Sequence, residues 1–166
     1  MEVENYRLIK IGNSFKVSGE EFNVVGVDQA YFEKIESQII ENIKNAKYLI
    51  WIAVAWFTNP KIFEALRLKK QNGLNIRIIV NNDSINFREN GLKFGEIAEV
   101  KKVSKKGRYE NMMHNKFCVI DLETVIHGSY NWSKKANYNN ETIQVEPKNK
   151  RLACQFADEF VKILND

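Results

Sequence analysis

The stretch YLIWIAVAWFTNP, Tyr48 to Pro60, decides how the rest of the chain is read. Tyr48 to Phe57 is continuously apolar, with β-branched and aromatic members, the pattern of a strand covered on both faces. It is about half as long as a membrane-spanning helix requires, so it predicts a core strand and no membrane segment. Thr58, Asn59 and Pro60 then supply a helix start, a capping side chain followed by proline at the first turn. Ile62, Phe63 and Leu66 form the inner face of that helix, and Gly73 closes it as a C-cap. Asn75 to Val80, NIRIIV, reads as a second buried strand. Strand, helix and strand with so short a crossover make a βαβ unit and predict a parallel pairing.

Outward from this unit, Asp28 to Lys47 places Tyr31, Phe32, Ile35, Ile39, Ile40 and Ile43 at three- and four-residue spacing, the stripe of an amphipathic helix. Further upstream Phe22 to Val27 is a strand candidate, and Tyr6 to Ile11 and Ser14 to Val17 flank Gly12 and Asn13, a hairpin turn signal. Downstream, Ser84 to Gly95 reads as a helix interrupted by Gly91, Ala98 to Val103 as a short strand and Ser104 to Asn111 as a loop. Strands then follow closely at Met113 to Asp121, Thr124 to Gly128 and Glu141 to Val145. A closing helix carries Leu152, Phe156, Phe160 and Ile163 on its inner face. No repeat, linker or low-complexity stretch interrupts the pattern. The expectation is one α/β domain built on a mixed, largely parallel sheet flanked by helices.

A chain of 166 residues suits a single domain. Cys118 lies in a strand pattern and Cys154 in a helical one, and both read as small buried hydrophobes in a reducing compartment. The first residues are acidic where an export signal needs a basic stretch and an apolar run, which predicts a cytoplasmic protein. Net charge is +4 but unevenly spread. From Lys101 to Arg151 there are eleven Lys or Arg against five acids, while the remainder is slightly acidic. Lys105, Lys106, Arg108, Lys134 and Lys135 are the candidates for holding a polyanion such as a nucleic acid.

That basic region surrounds a constellation of chemically active residues. His114 and Lys116 stand two apart, so in a strand they project to one side, and the odd spacing to Asp121 turns its carboxylate away. Asp121 therefore reads as a structural carboxylate, pairing with a basic residue or capping a turn. Ser129 and Asn131 repeat the two-residue spacing beyond the neighbouring strand and offer neutral donors to phosphate oxygens, with Gly128 letting the backbone come close. Glu141, at the head of the next strand, is placed to accept from His114 Nδ1 and so leave the lone pair on Nε2, as a nucleophilic imidazole needs. His114 and His127 are the only histidines, and no carboxylates stand near them at ligand spacing, which disfavours a metal site. His127 reads as a partly buried polar residue and Trp132 as core, while Tyr130 fits either core packing or stacking on a base.

The segments HNKFCVID and GSYNWSKKANYNNE together resemble the HKD motif of the phospholipase D-like superfamily, in size and layout its single-motif bacterial endonucleases of the Nuc type. The likeness runs from about Phe22 to the C-terminus, which divides the chain into an N-terminal extension, 1–21, and a phospholipase D-like domain, 22–166. It implies that His114 is the nucleophile, that Lys116, Asn131 and Ser129 grip the phosphate, that Glu141 orients the imidazole, and that no metal or other cofactor takes part. Because such enzymes use two half-sites and this chain has one, the resemblance also implies a homodimer with a shared active site.

The expected function is a metal-independent endonuclease or phosphodiesterase acting on DNA or RNA through a phosphohistidine. Two alternatives stand beside it. One keeps the chemistry and changes the substrate to a phospholipid head group; the other is a non-catalytic nucleic-acid-binding domain of a restriction or defence assembly.

Overall fold

The computed structural model describes residues 7–11, 14–18 and 28–166. Arg7–Ile11 (β1) and Ser14–Ser18 (β2) pair antiparallel, Ile11 opposite Ser14, as a two-stranded sheet of their own. The turn residues expected between them and the strand expected at Phe22 to Val27 lie outside the described residues. The main sheet has seven strands: Gln29–Tyr31 (β3), Leu49–Val54 (β4), Asn75–Asn81 (β5), Glu99–Val103 (β6), Lys116–Ile120 (β7), Thr124–Gly128 (β8) and Ile143–Glu146 (β9). Their order across the sheet is β3-β9-β8-β7-β4-β5-β6.

The βαβ unit is present. Asn59 caps the helix Pro60–Gln71, its side chain accepting from the amides of Lys61 and Ile62, and β4 runs parallel to β5 with Ile52 opposite Ile78. Gly73, just past the C-cap Asn72, takes the left-handed φ of +86° that lets the chain turn back into β5. The sheet is mixed, but less parallel than expected. Only the pairs β4–β5 and β5–β6 are parallel; the other four are antiparallel. For β7 and β8 the cause is connection length, since the three residues between Ile120 and Thr124 cannot span a parallel crossover.

Ile35–Asn45 (α1) and Pro60–Gln71 (α2) pack on one face of the sheet, over a core that includes Ile39, Ile43, Ile62, Leu66, Ile52 and Ile78. Lys150–Asn165 (α3) covers the other face through Ala153, Phe160 and Ile163, with Trp51 stacked on Phe160 at 5.2 Å. Each such fully buried aliphatic or aromatic side chain contributes about 1.5–3 kcal/mol. The two faces follow strand alternation: Ile50, Ile52 and Val54 of β4 face α1 and α2, while Trp51 and Ala53 face α3.

Several boundaries differ from expectation. The helix expected from Asp28 starts only at Ile35, because Gln29–Tyr31 pair with β9 as an edge strand and Lys34 sits at a left-handed φ of 53°. Tyr31 packs on the same core as the helix, which is why the apolar spacing ran on through it. The helix expected over Ser84 to Gly95 is a turn followed by one 3-10 turn, Phe94–Glu96. Asp83 takes the amides of Ile85 and Asn86 on its Oδ1, satisfying donors that a helix would have used. Cys118 is buried, but Cys154 lies on the exposed side of α3.

Candidate active site

His114, Lys116, Gly128, Ser129 and Glu141 lie at one end of the main sheet, and Asp121 at the other. β7 begins at Lys116 opposite Val54, the last residue of β4, and the amide of Ala55 donates to the carbonyl of Asn115 at 3.0 Å. The strand expected from Met113 is therefore shorter, and His114 is in the segment leading into it. Strand alternation does not orient His114. Its exposed imidazole instead meets the edge of Trp56, ring centroids 6.1 Å apart and planes at 81°. Trp56 is in turn tethered by its Nε1–H to Asp83 Oδ2 at 2.9 Å. Beneath that turn the buried Asn86 accepts from the amide of Phe57 and donates to the carbonyls of Ala55 and Asn81.

Lys116 is half-buried, and its ammonium donates to the carbonyl of His114 at 2.8 Å. Burial pushes its pKa below the ordinary lysine value, and the Glu141 carboxylate opposes that shift. In the neighbouring strand, Phe117 pairs with His127, so Gly128 comes alongside Lys116 at the sheet end. A Cβ on Gly128 would stand 2.8 Å from Ile143 Cα and closer still to the Thr142 carbonyl, so only glycine allows β8 and β9 this approach. Ser129 follows directly: its amide donates to Thr142 O at 2.9 Å, and its Oγ accepts from the Thr142 amide at 3.0 Å while donating to Glu141 Oε2.

Glu141 is thus bound by Ser129 and by Asn139 Nδ2, 3.2 Å from Oε1, and makes no hydrogen bond to His114 within the chain. The expected Glu141–His114 contact is replaced by these two because Glu141 precedes β9, which starts at Ile143, and turns back over the end of β8. Asn131 is partly buried, and its Oδ1 has no hydrogen-bond partner. A buried acceptor of this kind is a cost the fold bears at the site.

Asp121 lies at the opposite end of β7, in a left-handed conformation with φ 54°. Its two oxygens accept from the amides of Lys47, Tyr48 and Leu49 at 2.8, 2.7 and 2.9 Å, tying the start of β4 to the end of β7. His127 projects to the α3 face, where its ring stacks on Phe156 at 5.2 Å and burial lowers its pKa. Trp132 and Tyr130 are both core residues, and the Tyr130 hydroxyl donates to Asn137 Oδ1 at 2.7 Å.

The cationic residues divide. Lys105 pairs with Glu110 at 2.8 Å, Lys106 donates to the Asp166 carbonyl at 3.2 Å, and the Arg108 guanidinium is 6.0 Å from the Tyr109 ring centre. Lys134 and Lys135, exposed at the start of the 3-10 turn Lys135–Tyr138, have no ion pair among the described residues. Among those residues there is also no group of three or more His, Cys, Asp or Glu able to hold a metal ion.

The sequence carries no spacing signal for Trp56, Asp83 and Asn86. Trp56 reads there as one more apolar residue of a buried strand, and only its place at the end of β4, beside the start of β7, brings it to His114.

The chain has counterparts among known proteins. A family model described as "Cardiolipin synthase, PLD-like domain" matches residues 39–164. The mitochondrial cardiolipin hydrolase of Chlamydomonas reinhardtii is 28% identical over 131 residues, 76% of this chain and 56% of its own. The chain spans about half the length of the curated relatives it matches. Among solved structures, Nuc from Salmonella typhimurium, a phospholipase D family member, superimposes with a TM-score of 0.73 at 22% identity, covering 84% of this chain and 94% of that one. NucT from Helicobacter pylori gives 0.71 at 22%, covering 84% and 96%. The two structures share the fold, and with the family model spanning the motif and three quarters of its residues, the chain belongs to the phospholipase D-like family.

Proposed function

We propose that this chain is a metal-independent endonuclease, hydrolysing nucleic-acid phosphodiesters through a phosphohistidine in an active site shared by two copies. The observation that carries this reading is the convergence, at one sheet end, of the exposed His114 imidazole, the Lys116 ammonium and the Ser129–Glu141 pair. His114 Nε2 attacks phosphorus, and the bond from phosphorus to the leaving oxygen breaks as that oxygen takes a proton from His114 of the partner subunit. Water then attacks the phosphohistidine, giving its proton to that same partner imidazole and releasing His114. A positioned acid–base histidine is typically worth about 10²–10⁴-fold. Lys116, Asn131 and Ser129 supply positive charge and donors to the non-bridging oxygens, where fixed electrostatics is worth most.

The exposed Lys134 and Lys135 beside the motif support a polyanionic substrate. The test is cleavage of single- and double-stranded DNA and RNA in EDTA, wild type beside His114→Ala, with sedimentation of both. Activity that survives in His114→Ala, or a strictly monomeric active enzyme, refutes the reading. A phospholipid substrate is a second reading, supported by relatives that carry the name cardiolipin hydrolase. Hydrolysis of cardiolipin vesicles without any cleavage of nucleic acid reverses the order.

A further inference from the structure

A cleft of about 530 Å³ opens beside the motif, between the entry to α1 and the segment that links β8 to β9. Its lining includes Phe32 and Tyr138, which are 69% and 90% exposed although both are aromatic. Neither is used by the core. The rest of the lining is largely polar and includes the amides of Asn139 and Asn140, the Glu36 carboxylate, and the exposed Glu33 and Lys34. Glu36 is only 13% exposed and is held by Lys61 at 2.8 Å, Asn59 at 2.7 Å and Asn137 at 3.0 Å. The cleft joins the candidate active site through Asn139, which lines it and also donates to Glu141.

These features select an occupant. The Glu36 carboxylate is already taken up by three donors and offers phosphate no contact, while the exposed Lys34 in the lining and Lys134 and Lys135 on the segment from β8 to β9 are open to the backbone phosphates. Two exposed aromatic side chains offer faces for a planar ring, and asparagine amides can meet the donor and acceptor edge of a base. The volume lies in the range of small-ligand pockets. A base paired in a duplex has both faces stacked and its edge occupied, so only an unpaired base can enter.

Resting on the nuclease reading above, we propose that the Phe32–Tyr138 cleft is a subsite for an unpaired nucleobase next to the scissile phosphate, and that it gives this chain a preference for single-stranded nucleic acid. Phe32 and Tyr138 are then specificity-determining residues.

Binding separates this from catalysis. Fluorescence anisotropy of a labelled single-stranded oligonucleotide and of its duplex is measured on His114→Ala protein, with and without Phe32→Ala and Tyr138→Ala. Stacking on one aromatic is worth about 1–3 kcal/mol, so each substitution is expected to weaken single-strand binding by about 5- to 150-fold and to leave duplex binding within about twofold. Phe32→Trp and Tyr138→Phe are expected to retain it. Equal losses on both strands, or none on either, overturn the proposal. So does a double variant that loses affinity for cardiolipin vesicles and not for the oligonucleotide, which makes the aromatics a lipid contact, or one that sediments as a monomer where the parent is a dimer, which makes the cleft a subunit interface. Wild-type hydrolysis of bis(p-nitrophenyl) phosphate, which has no base, reads the catalytic chemistry separately.

Discussion

Asp121 belongs to the motif by sequence, yet it is bonded as a structural residue, and replacing it distinguishes the two roles. Five residues of extended chain separate it from Lys116, about 16 Å at the usual rise per strand residue, so it stands at the far end of the sheet from the reacting groups. Its carboxylate receives three backbone amides. A hydrogen bond to a charged group is worth about 1.5–3 kcal/mol when shielded. Only the bond from Leu49 is part-buried; those from Lys47 and Tyr48 are exposed and are counted nearer 0.5–1 kcal/mol each. Alanine also tolerates the left-handed φ of 54° less well than Asp or Asn. With the backbone cost added, the sum for Asp121→Ala is about 3–6 kcal/mol, a large part of the 5–15 kcal/mol typical of a domain. With a urea slope of about 2 kcal/mol/M the midpoint falls by about 1.5–3 M. Asp121→Asn keeps the Oδ1 acceptor that serves Tyr48 and Leu49 and loses only the Lys47 bond, so a fall of about 1 kcal/mol is expected. The assay pairs urea denaturation with turnover per folded molecule, measured at a temperature where all three proteins are folded. A variant with an unchanged urea midpoint and lost turnover refutes the structural assignment.

Asn86→Ala removes three buried hydrogen bonds, taking the acceptor from the Phe57 amide and leaving the Ala55 carbonyl only the longer bond from the Asn81 amide, so it is expected to cost about 3–5 kcal/mol; a loss below about 1 kcal/mol in the same urea assay contradicts the role given to this side chain. Glu36 is penalised by burial, but hydrogen bonds from Lys61, Asn59 and Asn137 outweigh that penalty and hold its pKa at about 2 against an ordinary 4.5. Its contribution is therefore complete above about pH 4.5 and is lost as pH falls toward 2, at most about 3 kcal/mol, so the urea midpoint of wild type drops over that window more steeply than that of Glu36→Gln; parallel pH profiles refute it. In Glu141→Gln the anion that opposes the burial-lowered pKa of Lys116 is gone, so the alkaline limb of kcat/KM moves to lower pH, and a limb that stays or rises contradicts the pairing.

The parts of the fold legible in the sequence are those set by local chemistry. The βαβ unit could be read because Asn59 and Pro60 cap a helix between two continuous apolar runs, and all three signals act within a few residues of themselves. The helix start at Ile35 could not, because Tyr31 reaches the same core from a strand that exists only by pairing with Ile143, more than a hundred residues later. The helical spacing of Ser84 to Gly95 is outweighed for a similar reason, by Asp83, which takes the Ile85 and Asn86 amides and the Trp56 indole, and by Asn86, whose partners lie on Phe57, Ala55 and Asn81. In the site, residue types and the glycine were visible as a pattern, whereas the partner of Glu141 and the contact of His114 with Trp56 depend on where strands end.

Strand direction is what turns the motif into a site. Lys116 opens β7, Gly128 ends β8 and Ile143 opens β9, so a start, an end and a start must lie at one edge of the sheet. Three adjacent strands satisfy that only if each is antiparallel to the next, as β7, β8 and β9 are. Had this region been parallel, like the pairing in the βαβ unit, Lys116 and Ser129 would stand a strand's length apart, about 16 Å, beyond the reach of one phosphate. The three-residue link from β7 to β8 forbids a parallel arrangement of that pair, and the longer segment from β8 to β9 returns the chain antiparallel beside it. Gly128 then completes the convergence, since any side chain there would push β9, and Glu141 with it, away from Ser129 and Lys116. The spacing within the motif is therefore a consequence of loop length and strand polarity as much as of chemistry.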